Sequence, residues 1–244
     1  KLGRTDDALA SYEKAINIDS NNAEAFNNIG IVLNKLGRLD EAIASYEQAL
    51  LINPDYTDSY NNLGIVLKKI GRLDDAIASY EEAITINPND ADTYNNLGIA
   101  LADLGRLDDA IVSYEKALSI NPKYAETYNN LSIVFLKLKR LEKALKFNQN
   151  ALMLKPNFAE GFAAQGRIYT ELKQLYKALD SLEKVKVMNP NLAYNLGAIL
   201  NVKMNLCHWD DLPKLLVELT KKINNDEKVI VPFDLLGLID DSML

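Results

Sequence analysis

The chain has 244 residues, room for one or two domains with a sizeable core, and its 27 Lys+Arg against 34 Asp+Glu leave a net charge of −7. That balance lacks the clustered positive charge that nucleic acid or an anionic membrane surface requires. The 48% hydrophobic and 25% charged residues exclude wholesale disorder, and no apolar run reaches the roughly 20 residues that span a bilayer. One cysteine excludes a disulfide within these residues and argues against a cysteine-based zinc site, while one histidine leaves a single candidate for imidazole chemistry. No signal peptide is visible, and the expected compartment is the cytoplasm.

Along the chain, Pro54, Pro88, Pro122, Pro156 and Pro190 each follow the last by 34 residues. Gly30, Gly64 and Gly98 keep the same period, as do Gly37, Gly71 and Gly105, and Ala42, Ala76, Ala110, Ala144 and Ala178. A fixed period of this length defines a repeat array. With the proline as position 32, the units are 23–56, 57–90, 91–124, 125–158 and 159–192. Residues 1–22 form the tail of an earlier unit entered at position 13, so the sequence is expected to begin mid-helix, as a fragment does.

Each unit predicts two helices. In 57–90, Tyr60, Leu63, Gly64 and Leu67 lie at i, i+3, i+4, i+7, the apolar stripe of a first helix. Gly71 ends it, as a residue tolerant of positive φ. Asp74 and Asp75 then sit where a helix dipole favours negative charge, and the recurring acidic pairs are expected to serve as caps. Ala76, Ile77, Tyr80, Ala83 and Ile84 mark the second helix, and Pro88 stops it. Gly64 and Ala76 allow close approach, with Tyr80 filling the space beyond. One such hairpin cannot bury its apolar face alone, so neighbours stack. The expected fold is all-α, a right-handed α-α superhelix.

The pattern loosens in 125–158, where Ser132 and Lys139 replace the glycines and Asn148 the tyrosine. After Pro190 the region 193–244 reads as a degenerate helical hairpin opened by Tyr194, Leu196 and Gly197, its loop shortened by two or three residues, followed by a C-terminal junction segment. Over about 1–192, Tyr-x-x-Leu-Gly-x-x-Leu with Ala, Tyr, Ala and Pro at fixed offsets resembles the tetratricopeptide repeat.

At 100° per residue, positions 2, 6, 9 and 13 lie opposite the paired stripe. The resemblance implies that this side lines a concave groove. Position 6 is Asn28, Asn62, Asn96 and Asn130; position 9 is Ile31, Ile65, Ile99 and Ile133; position 13 includes Lys35 and Lys69. Position 2 is acidic. A carboxamide both donates and accepts, so it can pair with a peptide group in both directions. Helices roughly 8–10 Å apart would place successive asparagines at about every third residue of an extended chain rising about 3.3 Å per residue. The expected clients are therefore proteins or extended peptides gripped by their backbone, with the isoleucines adding apolar contact. The competing reading is that the asparagines bond to the neighbouring repeat. The equally regular column Asn27, Asn61, Asn95 and Asn129 at position 5 is read as structural. Removing Asn62, Asn96 and Asn130 together is expected to weaken client binding at nearly constant melting temperature. Isoleucine at position 9 and acid at position 2 argue against a clamp for chaperone-tail carboxylates.

Cys207, His208 and Trp209 are consecutive. With Pro213 and the later run Val231-Pro232-Phe233-Asp234-Leu235-Leu236 they resemble the junction between repeats and catalytic half in SPINDLY-like O-linked N-acetylglucosamine transferases, with His208 where that family often has aspartate. The resemblance implies a transferase half beyond Leu244 whose protein substrates the repeats select. A methyltransferase or other repeat-fused enzyme, or a stand-alone scaffold, is the alternative. Neighbouring Cys207 and His208 point apart and form no nucleophile–base pair by themselves; the trio is expected to be core packing, with Trp209 in the slot of Leu73 and Leu107. No phosphate loop and no catalytic set is visible, so this chain is expected to turn over nothing and to carry no cofactor and no metal. No nucleic-acid or membrane partner is expected. A solenoid end exposes an unstacked apolar face, which leaves end-to-end self-association open to it.

Overall fold

The computed structural model describes residues 2–192 and 194–225. These residues form thirteen α-helices and no strand, in two compact units, 1–122 and 123–244. The first holds α1 (Leu2–Ile18), α2 (Ala23–Lys35), α3 (Leu39–Ile52), α4 (Thr57–Lys69), α5 (Leu73–Ile86), α6 (Ala91–Asp103) and α7 (Leu107–Ile120). The second holds α8 (Ala125–Lys137), α9 (Leu141–Leu154), α10 (Ala159–Glu171), α11 (Leu175–Met188), α12 (Asn195–Asn205) and α13 (Leu212–Asn224). Consecutive helices pack as hairpins, and within each unit the first helices of successive hairpins also touch, α2 on α4 and α4 on α6, then α8 on α10 and α10 on α12.

Within a hairpin of the first unit, a tyrosine ring lies against a glycine backbone. A Cβ on Gly64 would sit 2.6 Å from Cε1 of Tyr80, and Gly30 with Tyr46 and Gly98 with Tyr114 repeat the contact. The three rings are almost fully buried, and burial pushes each phenol's pKa above its ordinary value. The second unit uses other pairs. Ser132 and the smaller Asn148 stand at the equivalent positions, and the Asn148 amide donates to the Gly161 carbonyl at 2.8 Å. Phe147 fills space beside it, stacked on Phe135 with ring centroids 5.2 Å apart. Gly166 meets Leu182 instead of tyrosine.

The turn between paired helices is a Schellman motif. Arg38 N–H donates to Leu33 O at 3.0 Å and Gly37 N–H to Asn34 O at 3.2 Å. The residue between them takes positive φ: 78° at Gly37, 82° at Gly71 and 86° at Gly105, then 57° at Lys139, 58° at Lys173 and 55° at Cys207. The last turn is thus still in phase, with His208 N–H donating to Lys203 O at 2.9 Å.

Three expectations are corrected here. The loop after Pro190 is not shortened: the period places a helix start at 159 + 34 = 193, whereas α12 starts at Asn195. The turn before α13 is longer too, since Leu175 + 34 is position 209 but α13 starts at Leu212, set by Pro213 in its first turn. Trp209 is therefore in the extended turn, 51% exposed, and is no packing anchor; Cys207 and His208 are exposed as well. Finally, the recurring acids lie in first turns but do not cap free amides. Glu41, Asp75 and Asp109 pair with Arg38, Arg72 and Arg106 at the N-cap, at 2.5, 2.6 and 2.7 Å, whereas side-chain capping comes from Asn22 and Asp90. The junction run at 229–241 lies outside the described residues.

Candidate functional site

In the first unit, α2, α4 and α6 turn one face away from their paired helices. Asn28, Asn62 and Asn96 are half-buried there, beside half-buried Ile31, Ile65 and Ile99, with Lys35 and Lys69 exposed at the helix ends. Asn130 and Ile133 of α8 are half-buried in the second unit.

The asparagine carboxamides are partly engaged by the protein. Asn62 Nδ2 donates to Asn27 Oδ1 at 3.1 Å, and Asn96 Nδ2 donates to Asn61 Oδ1 at 3.1 Å. Each therefore joins its repeat to the one before. Asn27 is buried, and its oxygen also accepts from the fully buried Ser59 hydroxyl at 3.1 Å. Lys69 is likewise engaged, its ammonium donating to Asn34 Oδ1 at 2.7 Å. One N–H of Asn62 and one of Asn96 are thus structural, so an alanine at either costs stability as well as any binding. The oxygens of Asn62 and Asn96 accept no hydrogen bond among the described residues, and each amide keeps a second N–H. Those groups, flanked by isoleucine, remain to meet another chain.

Sequence reasoning missed the buried hydroxyl column at position 3, Ser59, Thr93 and Thr127. Its regularity was the available signal. It also missed what the fifth repeat does with the same positions. There positions 3, 6 and 9 are Gly161, Ala164 and Arg167. The two donors that satisfy Asn27 have no counterpart, and the equivalent Asn129 Oδ1 in α8 is buried without a partner. Beside it opens a cleft of about 710 Å³ among α8, α10 and α12, lined by Asn129, Asn130, Ile133, Arg167, Tyr194 and Asn195 among others.

Elsewhere the chemistry is sparse. No group of three His, Cys, Asp or Glu among the described residues could hold a metal ion. His208 packs edge-on against Tyr176, centroids 5.8 Å apart. No helix among the described residues is long and apolar enough to cross a membrane.

Family models for tetratricopeptide repeats match residues 1–37, 21–89, 91–124 and 113–146, together 1–89 and 91–146. The chain belongs to the tetratricopeptide-repeat proteins. No curated protein matches it. Among solved structures, YrrB, a TPR protein with an unusual peptide-binding site, is similar at TM-score 0.61 and 22% identity over 79% of this chain and 97% of that one. PilW, a widely conserved type IV pilus biogenesis factor, is similar at TM-score 0.77 and 20% identity, covering 85% of this chain and 96% of its own. A chain of the APC/C hetero-tetramer Cut9–Hcn1 is similar at TM-score 0.73 and 21% identity, over 84% of this chain but only 41% of that one. At these identities the likeness is one of fold.

Proposed function

We propose that the protein is a protein-interaction module that holds extended polypeptides along the exposed faces of α2, α4 and α6. The observation that carries this reading is the half-occupied carboxamide. Asn62 and Asn96 are oriented by the 3.1 Å bonds they donate to the preceding repeat, and their oxygens are left without a donor. An oriented acceptor loses little rotamer entropy when it takes a peptide N–H. Asn28 continues the column, Asn130 and Ile133 offer the same pair of residue types in the second unit, and the peptide site of the structurally similar YrrB is in keeping with it.

The test begins with a displayed library of random dodecapeptides selected on the full chain, the best binder being synthesised and retitrated against Asn28→Ala/Asn62→Ala/Asn96→Ala. The reading expects affinity to fall about tenfold or more, since three net hydrogen bonds are each worth about 0.5–1.5 kcal/mol, while circular dichroism keeps its helical shape. Unchanged affinity would overturn it.

A narrower reading places these repeats in a SPINDLY-like glycosyltransferase, selecting its protein substrates. Its support is the sequence resemblance around Cys207–Pro213 and 229–241. The test is assay of the full-length protein with labelled nucleotide sugars, where absence of transfer to any protein counts against it.

A further inference from the structure

The cleft of the second unit differs from the ladder faces of the first in three linked ways. Its central residue at position 9 is Arg167, not isoleucine. Among the described residues this guanidinium has no ion pair and no hydrogen bond. Two acidic residues line the same cleft: Glu171 is committed to Lys139 at 2.9 Å, and Glu160 lies two turns away on α10 and makes no pair with the arginine. Solvent reaches Arg167, yet the crowding walls strip water from the guanidinium and push its pKa below the ordinary value, which still leaves it cationic.

The second and third differences are two buried acceptors without donors. Asn129 on α8 is 4% exposed and Asn195 on α12 is 6% exposed, and the Oδ1 of each is unpartnered. Asn195 is held in place by its own amide, which donates to Leu182 O at 3.2 Å. An unmet buried acceptor costs about 1–3 kcal/mol, so both oxygens call for N–H donors from outside. Both line the cleft, on the two helices that flank α10.

We propose that this cleft reads one acidic side chain, aspartate or glutamate, within an extended polypeptide. Arg167 takes the carboxylate through its planar fork of donors, and Asn129 and Asn195 accept main-chain N–H groups on either side of it. This inference rests on the peptide-binding reading above and adds a sequence preference to it. The flanking acceptors decide between an internal acid and a chain terminus: main chain must run past the carboxylate in both directions. From α8 to α12, two helix spacings of roughly 8–10 Å, takes about five or six extended residues. The cleft volume is in the range of a peptide-sized ligand.

The test uses the full chain and three peptides. One is acetylated, amidated Ser-Ala-Val-Glu-Val-Ala-Ser, the second its Gln analogue, and the third the Gln analogue with a free C-terminal carboxylate. Affinity and side-chain ¹⁵N–¹H signals are followed in the native protein and in Arg167→Gln, an exposed substitution that spares the core. The Glu peptide is expected to bind at least about tenfold tighter than the amidated Gln peptide, to shift the Arg167 Nε–Hε and Asn129 amide signals, and to lose its advantage in Arg167→Gln. Equal binding of the Glu and Gln forms overturns the inference, as does a preference that survives Arg167→Gln or an Arg167 response confined to the free terminus. If the peptides shift the Asn62 and Asn96 amides without preferring Glu, only this inference fails. If they shift neither unit, and the selected library yields no binder, the peptide reading fails with it.

Discussion

The two units are built from one repeat, and they spend their polar residues differently. In the first, two side-chain acceptors at position 5 meet donors from the next repeat: Asn27 has Ser59 and Asn62, and Asn61 has Asn96. In the second, Gly161 and Ala164 withdraw those donors, and Asn129 is left with an unmet oxygen beside a cleft that holds Arg167. The first unit closes the hydrogen bonds of Asn27 and Asn61, though not those of the buried Tyr46 and Tyr80 hydroxyls, and offers a repetitive, backbone-directed face. The second gives up some internal satisfaction and gains a cavity with a charge in it. Small residues at two positions, an exchange invisible to the apolar pattern, remove the donors, and Arg167 in place of isoleucine brings the charge.

The contrast is broken most forcefully in the hairpin core. Gly64→Ala drives a Cβ to within 2.6 Å of the fully buried Tyr80 ring. Overpacking of this kind costs about 1–3 kcal/mol, and alanine's better helix propensity returns about 1 kcal/mol. With a ring that has nowhere to go, packing wins, and a net loss of about 2 kcal/mol is expected from urea unfolding. The corresponding Ser132→Ala, at a site already fitted for a side chain, should cost less than about 1 kcal/mol, since it loses only the 2.7 Å bond to Asn129 O. Equal costs would mean that the two cores are not packed differently.

The next test turns the first unit into a copy of the second. Ser59→Ala and Asn62→Ala singly leave Asn27 Oδ1 with one donor each, at a cost of about 0.5–1 kcal/mol apiece. Together they recreate the Gly161 and Ala164 arrangement around a buried asparagine. The double variant is expected to exceed the sum of the singles by about 1 kcal/mol, because only then is the acceptor orphaned. Strict additivity in the double-mutant cycle would show that water or a shifted side chain meets Asn27 as well as serine and asparagine do.

Fold and site were legible in the sequence to different depths. The 34-residue spacing of proline, glycine and alanine carries the helix pairs because each marks a backbone event that only those residues permit cheaply: a stop, a left-handed turn, a close approach. The candidate face was legible as columns of Asn and Ile. That the amides share their N–H groups with the previous repeat was not, because helical periodicity gives direction but not the partner across an interface. Trp209 misled for a related reason. It occupies the leucine slot of the period, but Pro213 moves the helix start to Leu212 and leaves the ring in the turn. Arg167 was in plain view at position 9, legible only by following the isoleucine column one repeat past its last member.

The smallest expected effect isolates the turn between paired helices. The first unit places glycine at its positive-φ position and the second places Lys139, Lys173 and Cys207 there with nearly the same hydrogen bonds. A Cβ on Gly71 meets nothing within 4 Å, so Gly71→Ala tests conformation without contact, and a loss of about 1 kcal/mol is expected from the left-handed backbone alone. Lys173→Gly should work in reverse. Glycine removes the strain at φ 58° but brings extra freedom to the unfolded chain, so the gain is about 0.5–1 kcal/mol. Lys173 is the better choice over Lys139, whose ammonium is tied to Glu171 at 2.9 Å. Urea midpoints moving in opposite directions would show that both units demand the same left-handed turn and that the second simply tolerates its cost. A neutral Lys173→Gly would mean that the lysine returns through its own side chain what its backbone gives up, and the two turns would then be different devices of one shape.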